Sequence, residues 1–245
     1  MKELKMPSVD LSLALQNATF FENFTEKEIQ TVLSVCTLET WQKGHSILSQ
    51  NLQNTLYFVV SGHVKSVQIN ADTGRAFTLF LFEAGDIFDI LQLLHNSSSD
   101  AILEAHDKVS VLAMPKTAVS DWVDQYPEFN RALLPYLGKM ISYLEGMATN
   151  LALHDTETRL AHLIVHHLTS ESFNGFHLLN NLNHENLAQM IGSVRTVVNR
   201  QLQHWRRSGI ISTENGKITI EKLEALLQKT NHHFPHIHYE HQKDK

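Results

Sequence analysis

Arg195, Thr196, Asn199 and Arg200 fall within one short stretch, and their side chains are of the types that read nucleic acid. Guanidinium forks suit guanine O6 and N7 or a phosphate, and Thr and Asn can meet other base edges. Such groups need a rigid rod whose other side is buried. Taking Val198 and Leu202 as buried puts the four near the opposite side of the first two turns of a helix predicted over 194–206. A preceding helix is predicted over 183–191, with Asn183 as N-cap and Leu187, Met190 and Ile191 as its apolar stripe. Gly192 supplies the left-handed backbone of a tight turn, Ser193 is expected to cap the second helix, and small Ala188 lets the two helices cross. This spacing is that of a helix-turn-helix, followed by a small β-wing that ends near Ile220 and carries Lys217. The expected DNA-contacting set is Ser193, Arg195, Thr196, Asn199, Arg200 and Lys217.

The local charge agrees. From Asn183 to Ser208 there are four Arg against one Glu, while the whole chain carries a formal charge of −6. That contrast is the footprint of a protein that touches a polyanion with one patch. An amphipathic helix packed on another domain is the bland alternative; the caps, the turn glycine and the basic face together argue against it.

Leu187 through Leu202, then Ser208-Gly209-Ile210-Ile211 and Gly216-Lys217-Ile218, resembles the C-terminal domain of the Crp/Fnr family of bacterial transcription regulators. Family recognition helices commonly show Arg-Glu-x-Val-x-Arg, and Arg195, Val198 and Arg200 fall on that pattern. Thr196 departs from it. It stands where many members place a glutamate that accepts from cytosine N4, so the family's usual half-site is not implied here.

At 245 residues and 42% hydrophobic content the chain suits two packed domains. There is no apolar run of 18 residues and no signal-peptide pattern in the first residues, so a cytoplasmic protein without a membrane partner is expected. The lone Cys36 excludes an intrachain disulfide and a cysteine-ligated iron–sulfur cluster, and reads as a small core residue.

Thr25-Glu26-Lys27-Glu28 is a capping box that opens a short helix carrying Ile29, Val32, Leu33 and Cys36. After Trp41 the pattern turns to strands, at 44–48, 56–60, 64–69, 77–82 and 109–114, broken at Ser61-Gly62, Asp72-Thr73-Gly74 and Ala84-Gly85-Asp86. Short strands so evenly spaced suggest a barrel or roll. With Gly44, Gly62 and Gly85-Asp86 they resemble the family's cyclic-nucleotide-binding sensor. The fold class is therefore α+β: an N-terminal β-roll (jelly-roll, cyclic-nucleotide-binding-like) over 1–127, a long dimerisation helix over 128–154, a winged helix-turn-helix over 155–228, and a His-rich tail over 229–245.

In the family's cyclic-nucleotide binders a Phe-Gly-Glu turn follows Gly-Asp, and further on an arginine neutralises the cyclic phosphate. Here the chain reads Asp86-Ile87-Phe88-Asp89-Ile90-Leu91, and no arginine occurs from Ala76 to Asn130. Burying a phosphate without a cationic partner costs several kcal/mol, which argues against cyclic AMP. Phe88, Asp89, Ser97, Ser98 and Ser99 are the expected lining of an effector pocket; a solvated turn is the plainer meaning of the serine cluster.

His63, His95 and His106 are candidate axial ligands for haem, a cofactor that some family members bind in this domain; nothing in their spacing selects one. His162 and His166 stand four apart on a helix, which is metal-ligand spacing, but Leu160, Leu163, Ile164 and Leu168 claim the apolar face and leave both on the wet side. His232, His233, His236, His238 and His241 make the tail a weak metal binder at most.

Leu133, Leu137, Met140, Leu144, Met147 and Leu151 step alternately by four and three, the seam of a coiled coil. In the family such a helix is the axis of a homodimer that sets two recognition helices about one DNA turn apart on a palindromic site. The alternative is a stripe packed on its own roll. Pro135 is placed in or near the first turn, and Gly138 and Gly146 permit a bend or a close helix contact. No Ser/His/Asp or Cys/His constellation, phosphate loop or zinc signature is present, and His184-Glu185-Asn186-Leu187 stops short of His-Glu-x-x-His, so an enzyme is not expected. The resemblance implies a homodimeric regulator of double-stranded DNA that also meets RNA polymerase, gated by an effector other than cyclic AMP. A regulator controlled by abundance or a protein partner, and a haem-based gas sensor, stay open beside it.

Overall fold

The computed structural model describes residues 8–16, 18–52, 54–90, 100–169, 183–214 and 217–230. It divides into two compact units, residues 1–144 and 145–245.

The first unit opens with α1 (Ser8–Gln16) and α2 (Glu26–Val35). The expected capping box starts α2: the Glu28 amide donates to Thr25 Oγ1 (3.3 Å) and the Thr25 amide to Glu28 Oε2 (2.7 Å). Eight antiparallel strands follow: β1 (Thr37–Trp41), β2 (Ser46–Leu48), β3 (Thr55–Ser61), β4 (Val64–Ile69), β5 (Ala76–Phe82), β6 (Ile87–Phe88), β7 (Ile102–Ala105) and β8 (Val109–Pro115). They form two four-stranded sheets, ordered β1-β8-β3-β6 and β2-β7-β4-β5.

The first sheet is buried on both faces, and the two-residue period of its strands sorts the side chains. Leu56 and Phe58 of β3, with Leu112 and Met114 of β8, face a core shared with α2, Trp122 and Phe129. Tyr57 and Val59, with Val109, Val111 and Ala113, face the second sheet. Strand β1 lies before the point, after Trp41, where the strands are expected to begin; it pairs with β8 from Thr37↔Ala113 to Trp41↔Val109. Its Thr and Glu residues mask the strand pattern in the sequence. The turns rest on glycines where the backbone leaves no room: a Cβ on Gly62, at φ +83°, would lie 2.5 Å from the Lys108 carbonyl oxygen.

After α3 (Lys116–Gln125), Pro127 begins the long helix α4 (Pro127–Leu153), a first-turn position where its missing N–H costs little. Pro135 is not in that first turn, as expected from the sequence, but inside α4, where a proline costs about 3 kcal/mol of helix stability. The boundary between the compact units falls within α4, so the segment expected as a separate dimerisation helix shares its first half with the roll.

One member of the seam expected along α4, Leu133, is corrected. Leu133 is only 5% exposed, enclosed with Phe129 in the roll's core, and Leu137 and Met140 pack partly against the same cluster. Leu134 and Ile141 are exposed, at 67% and 58%, as are Tyr143, Leu151 and Leu153 nearer the end of the helix. The stripe with exposed members is Leu134, Leu137, Ile141, Leu144, Ala148 and Leu151, which keeps Leu137, Leu144 and Leu151 of the expected seam, the first two half-buried, and takes the next residue in place of Leu133, Met140 and Met147. A Cβ on Gly138 or Gly146 would meet nothing within 4 Å.

The second unit is built from α5 (Thr156–Thr169), α6 (His184–Met190), α7 (Arg195–Arg207), a hairpin of β9 (Ile211–Glu214) with β10 (Lys217–Ile220), and α8 (Leu223–Gln228). Leu160, Ile164, Leu187, Val198, Leu202, Trp205, Ile218 and Leu226 form its core. The Trp205 indole N–H donates to Glu157 Oε1 (2.9 Å), which also pairs with the Lys229 ammonium (3.0 Å). Burial pushes the Glu157 carboxyl up, but these two partners more than offset it and hold it below its ordinary value. His162 is not on the wet side. It is 7% exposed, with Nδ1 against Asn150 Oδ1 and Nε2 donating to the Thr230 carbonyl (3.0 Å), because α5 is covered over more than its leucine face.

Candidate nucleic-acid interface

The Asn183 side chain accepts from the Asn186 amide (2.8 Å) and fixes the start of α6, while Leu187 and Ala188 turn inward. The helix ends at Gly192, at φ 62°, and the Ser193 amide reaches back to the Ala188 carbonyl (2.8 Å). This is the Schellman closure, which needs a residue free to take positive φ. The structure corrects the expected cap of the second helix. Ser193 is used up in the turn through its backbone, and Val194, extended at φ −120° and ψ 150° with no side-chain hydrogen bond, is the N-cap of α7.

Helix α7 buries Val198, Leu202 and Trp205, which fixes the side it offers to solvent. Arg195, Thr196 and Arg200 are exposed as expected. Sequence reasoning passes over the continuation of that face: Thr196, Arg200, Gln203 and Arg207, stepping by four, three and four, are all exposed. At about 20 Å the helix is long enough to lie along a major groove. Asn199 is half-buried instead of free, with its Oδ1 against Nδ1 of His184, the first residue of α6. Spacing cannot show this role of His184, because the contact joins different helices. The wing follows from Ile211 and Ile218 turned into the core; the Lys217 backbone opens β10 opposite Glu214, and its side chain lies outside the described residues.

Of the expected effector-pocket residues, Phe88 and Asp89 are described. Phe88 is buried between the two sheets, stacked on Tyr57 with centroids 4.9 Å apart and planes 2° from parallel, and Trp41 and Phe82 pack against it. Burial, helped by Glu39 and Asp89, pushes the Tyr57 phenol up to about 12. The rings continue through Phe80 to Tyr143 of α4 (5.6 Å). Asp89 stands at φ 63°, a left-handed backbone that Asp tolerates better than most residues, and Ser49 Oγ donates to its Oδ1 (2.7 Å). Ile90, next in the chain, is buried in the roll's helical core. Ser97, Ser98 and Ser99 lie outside the described residues, as does His95.

His63 donates its backbone N–H to Asp107 Oδ1 (2.8 Å) and sets its ring Nδ1 2.6 Å from Oδ2, while burial and the nearby Lys65 hold His106 below its ordinary value. Among the described residues no group of three or more His, Cys, Asp or Glu is placed to hold a metal ion. His166 is exposed, its ring against His167. Cys36 packs against the core, and burial pushes its thiol up to about 12. Among the described residues no helix is long and apolar enough to cross a membrane.

Comparison with known proteins agrees with this arrangement. Residues 38–126 match the cyclic nucleotide-binding domain, and residues 158–229 match the Crp-like helix-turn-helix domain. The chain is 28% identical to the global nitrogen regulator of Nostoc sp. over 77% of this chain and 87% of that one. It is 22% identical to the CRP-like cAMP-activated global transcriptional regulator of Mycobacterium tuberculosis, over 88% and 97%. Among solved structures, a CooA variant from Carboxydothermus hydrogenoformans superposes with a TM-score of 0.68 at 22% identity, covering 82% of this chain and 90% of that one. The c-di-GMP-responsive global regulator CLP of Xanthomonas campestris gives 0.66 at 17% identity, covering 80% and 99%. These relatives are transcription regulators, not enzymes. With a sensor-type roll before a helix-turn-helix that displays its arginines to solvent, the chain belongs to the Crp/Fnr family of DNA-binding transcription regulators.

Proposed function

We propose that the protein acts in the bacterial cytoplasm as a homodimer that binds a palindromic DNA site through α7, one helix per half-site, and that cyclic AMP does not gate it. The observation that carries this reading is the exposure of Arg195, Thr196 and Arg200 on a helix whose opposite side is locked by Val198, Leu202 and Trp205. Each bidentate arginine–guanine pair is worth about 1–3 kcal/mol of discrimination. Ser193 and Lys217 are assigned to the same interface, at its turn and its wing. The accessible stripe from Leu134 to Leu151 supports self-association, since an apolar seam of this period normally meets a copy of itself. RNA polymerase is the partner that family membership adds.

Against cyclic AMP stand the absent arginine and the packed rings of Trp41, Tyr57, Phe82 and Phe88 between the sheets. The same packing favours a second reading, in which the regulator works without a small effector and is controlled by its abundance or by a protein partner. Gel-shift and sedimentation measurements on Arg195→Ala and Arg200→Ala test the main reading. Both variants are expected to remain dimeric and to lose specific binding; unchanged operator affinity in both would refute it. Calorimetry showing micromolar cyclic AMP binding would refute the exclusion of that ligand.

A further inference from the structure

We propose that Asn199 reads a hydrogen-bond acceptor on a DNA base, guanine O6 or N7 or thymine O4, and that His184 sets this preference by holding the Asn199 side-chain oxygen. The inference rests on α7 being the DNA-reading helix. It starts from one juxtaposition: Asn199 Oδ1 faces Nδ1 of His184 across the two helices of the motif, and both side chains are half-buried. An amide oxygen only accepts, so the shared proton sits on the imidazole Nδ1. No hydrogen bond engages the Asn199 amine among the described residues.

The usual asparagine grip on adenine is bidentate: the oxygen accepts from N6 while the amine donates to N7. Both ends of the amide must then face the base. With its oxygen turned back towards α6, Asn199 offers the amine alone; guanine sets two acceptors, O6 and N7, before it, and thymine sets O4, whereas adenine sets the N6 donor beside its one acceptor N7, so the amine there meets another donor. His184 is well placed to enforce this, because the Asn183 cap pins the first turn of α6 that carries it. It touches no base in this account and is a positioning residue.

The test uses the full chain and duplexes selected by it from a randomised pool, followed by anisotropy titrations in which one base pair at a time is changed. The wild type is expected to prefer guanine or thymine over adenine about tenfold at one position per half-site, as the loss of a single base contact implies. Asn199→Ala should abolish that preference and leave the others. His184→Ala should move it towards adenine at the same position, a change that simple loss of packing would not produce. Asn199→Asp keeps an oxygen for His184 but removes the amine; it should lose the preference, and it carries the test if His184→Ala does not fold. An unchanged base profile in His184→Ala, or adenine selected by wild-type Asn199, would overturn the proposal while leaving DNA reading by α7 in place. A wild type that discriminates no duplex in the pool would overturn both.

Discussion

The Tyr136 hydroxyl donates to the Ile87 carbonyl (2.8 Å) and accepts from the Ile87 amide (2.9 Å), so a single phenol of α4 satisfies both backbone groups of the residue before Phe88. Tyr136→Phe leaves a buried donor and a buried acceptor without partners. It is expected to destabilise the first unit by about 1–3 kcal/mol. Thermal unfolding followed by circular dichroism checks this, and an unshifted midpoint would count against it.

Asp86 lies beside that phenol, and burial pushes its carboxyl from 3.8 to about 6. Because the folded value is above the unfolded one, the stability it contributes is complete below about pH 4 and is lost as pH rises through about 6. Asp86→Asn should therefore match the wild type at pH 4 and exceed it at pH 7 by up to about 3 kcal/mol. Denaturant midpoints across that interval measure the difference; a gap independent of pH would be inconsistent with this account.

The two possible registers on α4 are separable by mutation. Leu133→Ala should cost about 2–5 kcal/mol of roll stability, as for a buried leucine, with dimerisation retained. Ile141→Glu should leave the melting transition of the roll in place and shift sedimentation equilibrium towards the monomer. The reverse pattern would restore the seam that passes through Leu133.

Trp205→Phe keeps the ring volume close but removes the hydrogen bond to Glu157, a charge-assisted bond worth about 1.5–3 kcal/mol. The second unit should melt earlier, and the Glu157 carboxyl should titrate higher by NMR because its second-largest influence is gone.

Much of the C-terminal unit is legible in the sequence, because its signals are local: a cap at Asn183, a glycine that must take positive φ at 192, and apolar residues at helical spacing. The register of α4 is not. Leu133 and Leu134, Met140 and Ile141, and Met147 and Ala148 are adjacent apolar pairs, and the period alone fits either member. Burial of Leu133 beneath the roll settles the first of these pairs, through contacts remote in sequence. The same holds for His162, enclosed by Asn150 and Thr230, and for Asn199, held by His184. Strand β1 is hidden for a different reason, since its Thr-Leu-Glu-Thr-Trp run becomes a strand only by pairing with β8.

Phe88 is packed against the rings of Trp41, Tyr57 and Phe82, so the space it fills belongs to a side chain that can be trimmed. Phe88→Ala would leave a dry vacancy of the sort that takes up benzene or xenon. Such a guest would give an experimenter a chemical handle on the interior of this regulator.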